Sequence, residues 1–295
     1  MEQEISLCWF RRDLRLDDQA ALYYALRAGH PVVPVFVFDT HILDDLEDKK
    51  DRRVAFIREA LEEMQQELLK SHASMDVFYG TPAAAFAHWT GKYKVAAVFA
   101  NHDYEPYARN RDAAVAKQLE ASGIPFHTYK DQVVLEKGEV LKDNGEPYTI
   151  FTPYSRKWRD MLTPFHLRPY PCKQYLDRLH RQPPVKIPSL REMGFIPGEK
   201  HFPSKHLKET LLKHYDETRD YPAAAGTSRM GVHLRFGTVS IRALMQTALQ
   251  LNDTYAKELV WREFYQMILW HFPHVVRNAF KKEYDKINWR NNEQE

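Results

Sequence analysis

A doubly wound α/β domain, then a connector, then an all-helical region is the architecture this sequence predicts, on three observations. Short β-rich runs alternate with amphipathic helical stretches as far as residue 130. Proline then recurs at 153, 164, 169, 171, 183, 184, 188 and 197, which interrupts regular structure. After residue 205 the apolar spacing becomes helical and no strand pattern returns. The expected boundaries are 1–130, 131–200 and 201–295.

In the first part, strands are expected at 5–10, 32–38, 75–79, 95–100 and 125–129. Helices are expected at 18–28, 53–69, 82–93 and 105–122. The second of these places Val54, Ile57, Leu61, Met64 and Leu68 on one stripe, the spacing of a helix packed on a sheet. Regular βα alternation implies a parallel sheet whose functional edge lies at the carboxyl ends of its strands. The loop after the first strand is Arg11-Arg12-Asp13-Leu14-Arg15-Leu16-Asp17-Asp18, and no GxGxxG stands there. In the connector, Asn144-Gly145 between Val140-Leu141 and Tyr148 signals a hairpin turn. Leu207, Leu211, Leu212 and Tyr215 open a helical pattern that runs to about residue 280.

Composition narrows the class of function. Apolar residues make up 44% of 295, enough for a sizeable core, and a formal net charge of +2 leaves nucleic-acid binding to a local patch. Two cysteines, Cys8 and Cys172, form no disulfide framework and suit a reducing compartment. The acidic N-terminus and the lack of a long apolar run point to a cytoplasmic protein without a membrane span. The fourteen histidines show no HExxH and no cluster with cysteine, so no metal site is expected.

The chemistry concentrates between residues 215 and 265. Thr227-Ser228-Arg229-Met230-Gly231 is a polar turn able to offer hydroxyls and backbone N–H groups to a diphosphate, and equally suits a helix N-cap. Downstream, Glu258, Trp261, Arg262 and Tyr265 fall at i, i+3, i+4 and i+7, one face of a helix. An acid, an indole, a guanidinium and a phenol make an odd core stripe. Arg262 and Glu258 also suit an i,i+4 ion pair worth about 0.3–0.5 kcal/mol. A basic stretch, Arg156, Lys157, Arg159, Arg168, Lys173, Arg178 and Arg181, interleaves with Tyr154, Trp158, Phe165, Tyr170 and Tyr175. It reads either as a phosphate-contacting patch or as a connector fastened by aromatic packing.

Several of these segments resemble the DNA photolyase/cryptochrome family. The carriers are Trp9-Phe10-Arg11-Arg12-Asp13-Leu14-Arg15 with Asp18, Phe151-Thr152-Pro153-Tyr154 with Trp158, and Gly226-Thr227-Ser228-Arg229. Leu234 with Gly237 and Ser240, and Glu258-Leu259-Val260-Trp261-Arg262-Glu263-Phe264-Tyr265, complete the set. The resemblance implies that the helical part is the first portion of a flavin-binding domain. Tyr215, Thr227, Ser228, Arg229, Met230, Gly231, Tyr255 and Arg262 would hold FAD. Glu258 and Trp261 would meet a flipped pyrimidine dimer as the catalytic pair, with Arg229 and Arg235 as further DNA contacts. Gly231 replaces a serine common in the family, and Tyr255 a tryptophan found in some members.

The implied activity is that of a deoxyribodipyrimidine photo-lyase, light-driven repair of cyclobutane dimers by electron transfer from reduced FAD. Alternatives are a cryptochrome-like blue-light receptor and an inactive truncated relative, because family members continue through further helices. The expected partner is UV-damaged DNA, bound by a monomer that needs the remaining C-terminal segment. A second antenna chromophore, folate or deazaflavin, is known in the family. The Asn-Glu pair of folate binders is missing near Tyr107-Ala108.

Overall fold

The two central β-rich runs form strands because apolar residues dominate them and both faces are covered. In this computed structural model, which describes residues 3–198, 201–288 and 290, β1 (Glu4–Phe10) is buried from its second residue on. The chain continues through α1 (Ala20–Arg27), β2 (Val32–Asp39), α2 (Thr40–Leu43), α3 (Arg52–Lys70) and β3 (Asp76–Gly80). It then turns back through α4 (Pro82–Lys92), β4 (Lys94–Asn101), α5 (Pro106–Glu120) and β5 (Phe126–Tyr129). The sheet is parallel, in the order β3-β2-β1-β4-β5. Its winding reverses between β1 and β4, which opens a crevice beyond Phe10 and Asn101.

Caps fix the helix starts. Asp51 accepts from Arg53 N ahead of α3, and Thr81 accepts from Ala84 N ahead of α4, where Pro82 occupies the first turn. One face of the sheet packs Cys8, Phe10 and Phe36 against Leu22, Leu61 and Met64, with Cys172 and Phe195 of the connector joining. The other face packs Leu7, Trp9 and Val98 against Phe86, Trp89 and Leu119.

The connector is more regular than its prolines suggest. The Asn144-Gly145 turn forms, with Gly145 at φ +82° and Lys142 N donating to Glu146 O at 2.9 Å. Beyond it, α6 (Phe151–Met161) is a full helix despite Pro153. The proline lies in the first turn, where its missing N–H had no partner to lose. Phe151, Tyr154 and Trp158 of α6 enter a third core, with Val134 and Leu135.

The last part is less continuously helical than expected. It comprises α7 (Glu209–Lys213), α8 (Tyr215–Thr218), α9 (Gly231–Phe236), α10 (Ile241–Leu251) and α11 (Asp253–His271), with 3-10 turns after Phe272. Pro222 and Gly226 keep residues 219–230 irregular, and Pro273 follows the end of α11. The third core is filled by Ile241, Met245 and Ala248 of α10 and Leu259, Val260, Phe264 and Met267 of α11.

Candidate functional site

The crevice at the switch point is filled by protein. Arg11 pairs with Asp112 at 2.8 Å, and Arg12 reaches Asp103 at 3.1 Å and Glu105 at 2.6 Å. Arg15 meets Asp131 at 2.7 Å. Asp18, at φ +48°, binds Arg242 Nε at 2.8 Å and accepts from the Ser240 hydroxyl. Arg242 also meets Asp131 at 2.8 Å. Backbone bonds run alongside, Leu14 N to Phe236 O and Arg15 Nη1 to Gly237 O, both at 3.0 Å. The charged loop after β1 is therefore the fastening between sheet and helices.

On α11, the polar stripe read from the sequence lies at the edge of the core, against which only Trp261 of the four packs. Tyr265 is 62% exposed, and Glu258, Trp261 and Arg262 are half-buried. The i,i+4 pair does not form: Glu258 is ion-paired to Arg219, which also lies 5.7 Å above the Tyr215 ring. Tyr215 meets Tyr255 edge-on at 4.9 Å, and the Tyr255 hydroxyl donates to Ser228 Oγ at 3.2 Å. Tyr215, Ser228, Tyr255 and Glu258 thus gather around the start of α11, with Arg219 as the link that sequence spacing did not single out. Arg219 stands four residues after Tyr215, a helical spacing that was there to be read.

Arg262 points toward α9 and the connector. It donates to Gln132 O at 2.6 Å and Leu234 O at 3.1 Å, and Gln266, with its amide oxygen turned inward, accepts at 3.0 and 3.2 Å. Burial pushes this guanidinium down to about 10. It has only neutral partners among these bonds. With Arg12, Gly231, Leu234, Arg235 and Gln266 it lines a half-open cavity of about 270 Å³. Arg12 Nε is buried without a partner, and Arg235 pairs with Glu105. Three guanidiniums on one small cavity suit a diphosphate, for which a fixed fork of donors is the natural receptor. The residues present therefore fit the anionic part of FAD.

Other expected residues lie apart. Arg229, at φ +52°, is exposed and lines a cleft of about 400 Å³ with Arg52, Arg53, Phe56, Phe202 and Val232, beside α3. Thr227 is exposed, and Met230 is buried at the start of α9. Trp261 stacks on Phe151 with ring centroids 3.5 Å apart and on Tyr265 at 5.5 Å. Both faces of the indole are engaged, and it lines neither cavity. Tyr170 and Tyr175 of the basic connector pack on Tyr23 of α1 at 5.4 and 5.8 Å, the fastening alternative for those two rings.

Fold and site together define a flavoprotein-like α/β-plus-helical class. The family model for DNA photolyase matches residues 6–174, and the model for the FAD binding domain of DNA photolyase matches residues 255–295. This chain belongs to the DNA photolyase family. It is 29% identical to a deoxyribodipyrimidine photo-lyase of Synechococcus over 97% of its own length and 65% of the relative's. An uncharacterized 31.6 kDa protein of another Synechococcus strain is 31% identical, over 90% of this chain and 100% of that one. Among solved structures, a class III photolyase from Agrobacterium tumefaciens shares the fold at a TM-score of 0.82 and 23% identity, over 99% of this chain and 64% of that one. An archaeal photolyase from Sulfolobus tokodaii, solved with two FAD molecules, gives 0.73 at 26% identity, over 99% and 65%. The chain spans about 65% of the length of the photo-lyases it matches.

Proposed function

We propose that this chain is the sheet and first helical portion of a deoxyribodipyrimidine photo-lyase. On this reading it repairs cyclobutane pyrimidine dimers in UV-damaged DNA, as a cytoplasmic monomer completed by a further helical segment. The division into an antenna-type domain at 1–130, a connector at 131–200 and a flavin domain at 201–295 belongs to the same proposal. The observation that carries it is the convergence of Arg12, Arg235 and Arg262 on the cavity beside Gly231.

FAD, when bound, supplies the light-driven electron transfer. The chain's own residues bind and orient. Arg262, with Arg12 and Arg235, holds the diphosphate, and Tyr215, Ser228 and Tyr255, gathered at the start of α11, are the further cofactor residues. Thr227, Arg229 and Met230 extend the same turn. Glu258 accepts from the exposed edge of a flipped base, and Trp261 stacks on it, which returns about 1–3 kcal/mol against the few that flipping costs. Arg229 and Arg235 contact DNA phosphates nearby. A second antenna chromophore, folate or deazaflavin, belongs to the same reading. Folate is disfavoured, because Tyr107 stands at the missing pair and donates to Asp39.

One observation favours a second reading. Trp261 is covered by Phe151 and Tyr265, and Glu258 is taken by Arg219. A chain whose lesion-reading groups are satisfied internally also suits a light receptor or an inactive relative. Flavin-loaded protein and a dimer-containing oligonucleotide under blue light separate these. Light-dependent loss of dimers is expected; retained flavin absorbance with no repair would overturn the enzyme reading.

A further inference from the structure

Glu263 follows Arg262 on α11 but turns into the helical core, where it is 1% exposed. Three N–H donors converge on its carboxylate: Val134 N on Oε1, Leu135 N on Oε2 at 3.2 Å and the Trp158 indole on Oε2 at 2.6 Å. Burial pushes this carboxyl up to about 7, and the three donors, with the Arg262 charge nearby, are what favour the anion. A lone acid in an apolar core is costly unless something requires it.

The segment it grips explains the requirement. Gln132, two residues upstream of Val134, touches two of the cavity's arginines. Its carbonyl accepts from Arg262 Nη1 at 2.6 Å, and its side-chain oxygen accepts from Arg12 Nη2 at 3.0 Å. Its amide nitrogen donates to His102 O at 3.1 Å, and Asp131 before it is held by Arg15 and Arg242. Residues 131–135 are thus fixed at the near end by the ion pairs of the sheet edge. At the far end, Glu263 alone among the described side chains binds their backbone N–H groups at 134 and 135.

We infer that Glu263 is a positioning residue for the anion cavity: by clamping residues 134 and 135 it sets Gln132, and through Gln132 it aims Arg12 and Arg262. This rests on the reading of that cavity as the cofactor's diphosphate site. Neither Glu263 nor Gln132 touches the ligand. Their effect is on the register of two guanidiniums with respect to each other.

The test is FAD titration of the full chain, followed by flavin fluorescence, for the wild type, Arg262→Lys, Glu263→Gln and the double variant. Glu263→Gln turns an N–H2 group toward buried donors, and a loss of affinity of roughly tenfold is expected. If Glu263 acts through the cavity, the double variant loses less than the product of the two single losses, because only the aim of Arg12 is left to lose, whereas independent roles multiply. Trp158→Phe, which leaves both backbone donors in place, gives a smaller loss and guards against a fold defect in Glu263→Gln. Amide exchange at Val134 and Leu135 provides a second readout: FAD slows it in the wild type and not in Arg262→Lys. Wild-type affinity in Glu263→Gln, or multiplying losses, overturns the inference alone. Unchanged FAD affinity in Arg262→Lys instead overturns the cofactor reading on which it rests.

Discussion

Gly237 ends α9 at φ +65°, and a Cβ placed there falls 2.3 Å from the Arg12 carbonyl oxygen and 2.6 Å from Asp13 Cα. Both are backbone atoms of the loop fastened to the sheet, so neither can swing aside. Gly237→Ala is expected to cost more than the roughly 1–2 kcal/mol of a left-handed L-residue alone. Gly231→Ala is the control, since its added carbon meets nothing within 4 Å. Urea midpoints of the two variants check this; equal stability would show that the Arg12–Gly237 approach is not tight. Sequence alone marks Gly237 as part of a motif without saying what it serves. Its neighbour across the interface is more than two hundred positions away. Sequence distance likewise hid the roles of Gln132 and Glu263, whose partners Arg262 and Val134 lie 130 and 129 positions away. Arg262 was legible as a residue type suited to phosphate, and that it does not pair with Glu258 goes with Arg219 taking the acid.

Among the elements, those whose identity depends on local pattern were legible and those that depend on context were not. β1 and β2 are dominated by apolar residues, Ile5 to Phe10 broken only by Ser6 and Val32 to Phe38 unbroken, and α3 shows one clean stripe, so each is visible in a short window. The region after 205 looked continuously helical because its leucines are helically spaced; the break at 219–230 comes from proline, glycine and polar turns that the spacing ignores. α6 was obscured by Pro153, whose position in a first turn only becomes clear once the helix start is known. For α11, spacing found the polar stripe, and packing decides what that stripe presents. Trp261 lies between Phe151 and Tyr265, so a base reaches the indole only by displacing one of them. Tyr265 is the exposed partner and the one expected to yield. Trp261→Ala should therefore weaken binding of a dimer-containing oligonucleotide by about 1–3 kcal/mol, while Tyr265→Ala should leave it equal or tighter. Fluorescence anisotropy measures both. A loss from Tyr265→Ala matching that from Trp261→Ala would mean the three rings form one surface rather than a covered indole.

For the molecule as a whole, the question is what makes a parallel sheet and a helical array behave as one body. The answer centres on Asp131, which is 1% exposed and belongs to neither. It receives Arg15 from the loop after β1, Arg242 from α10 and the backbone N–H of Ala20 at the start of α1. Burial alone would raise its carboxyl, but the two guanidiniums outweigh it and hold the group below the usual carboxylate range. The sign of the pH effect follows. A depressed native pKa gives stability that is fully present above the unfolded value of about 3.9 and drains away as pH falls through the native value. Acid should then loosen the junction between sheet and helices before it melts either apolar core. Asp131→Asn removes the charge at all pH values and strands Arg15, which is 10% exposed at its side chain, and Arg242, which is 5% exposed. Breaking one partner of a buried ion network costs about 3–5 kcal/mol, because the remaining charge stays desolvated. Arg242 keeps Asp18, so the lower half of that range is expected. Calorimetry at neutral pH should show the single wild-type transition split or broadened in Asp131→Asn, with the sheet and the helices melting separately. A single sharp transition, merely shifted downward, would mean the glycine contact and backbone bonds couple the two parts without the charges.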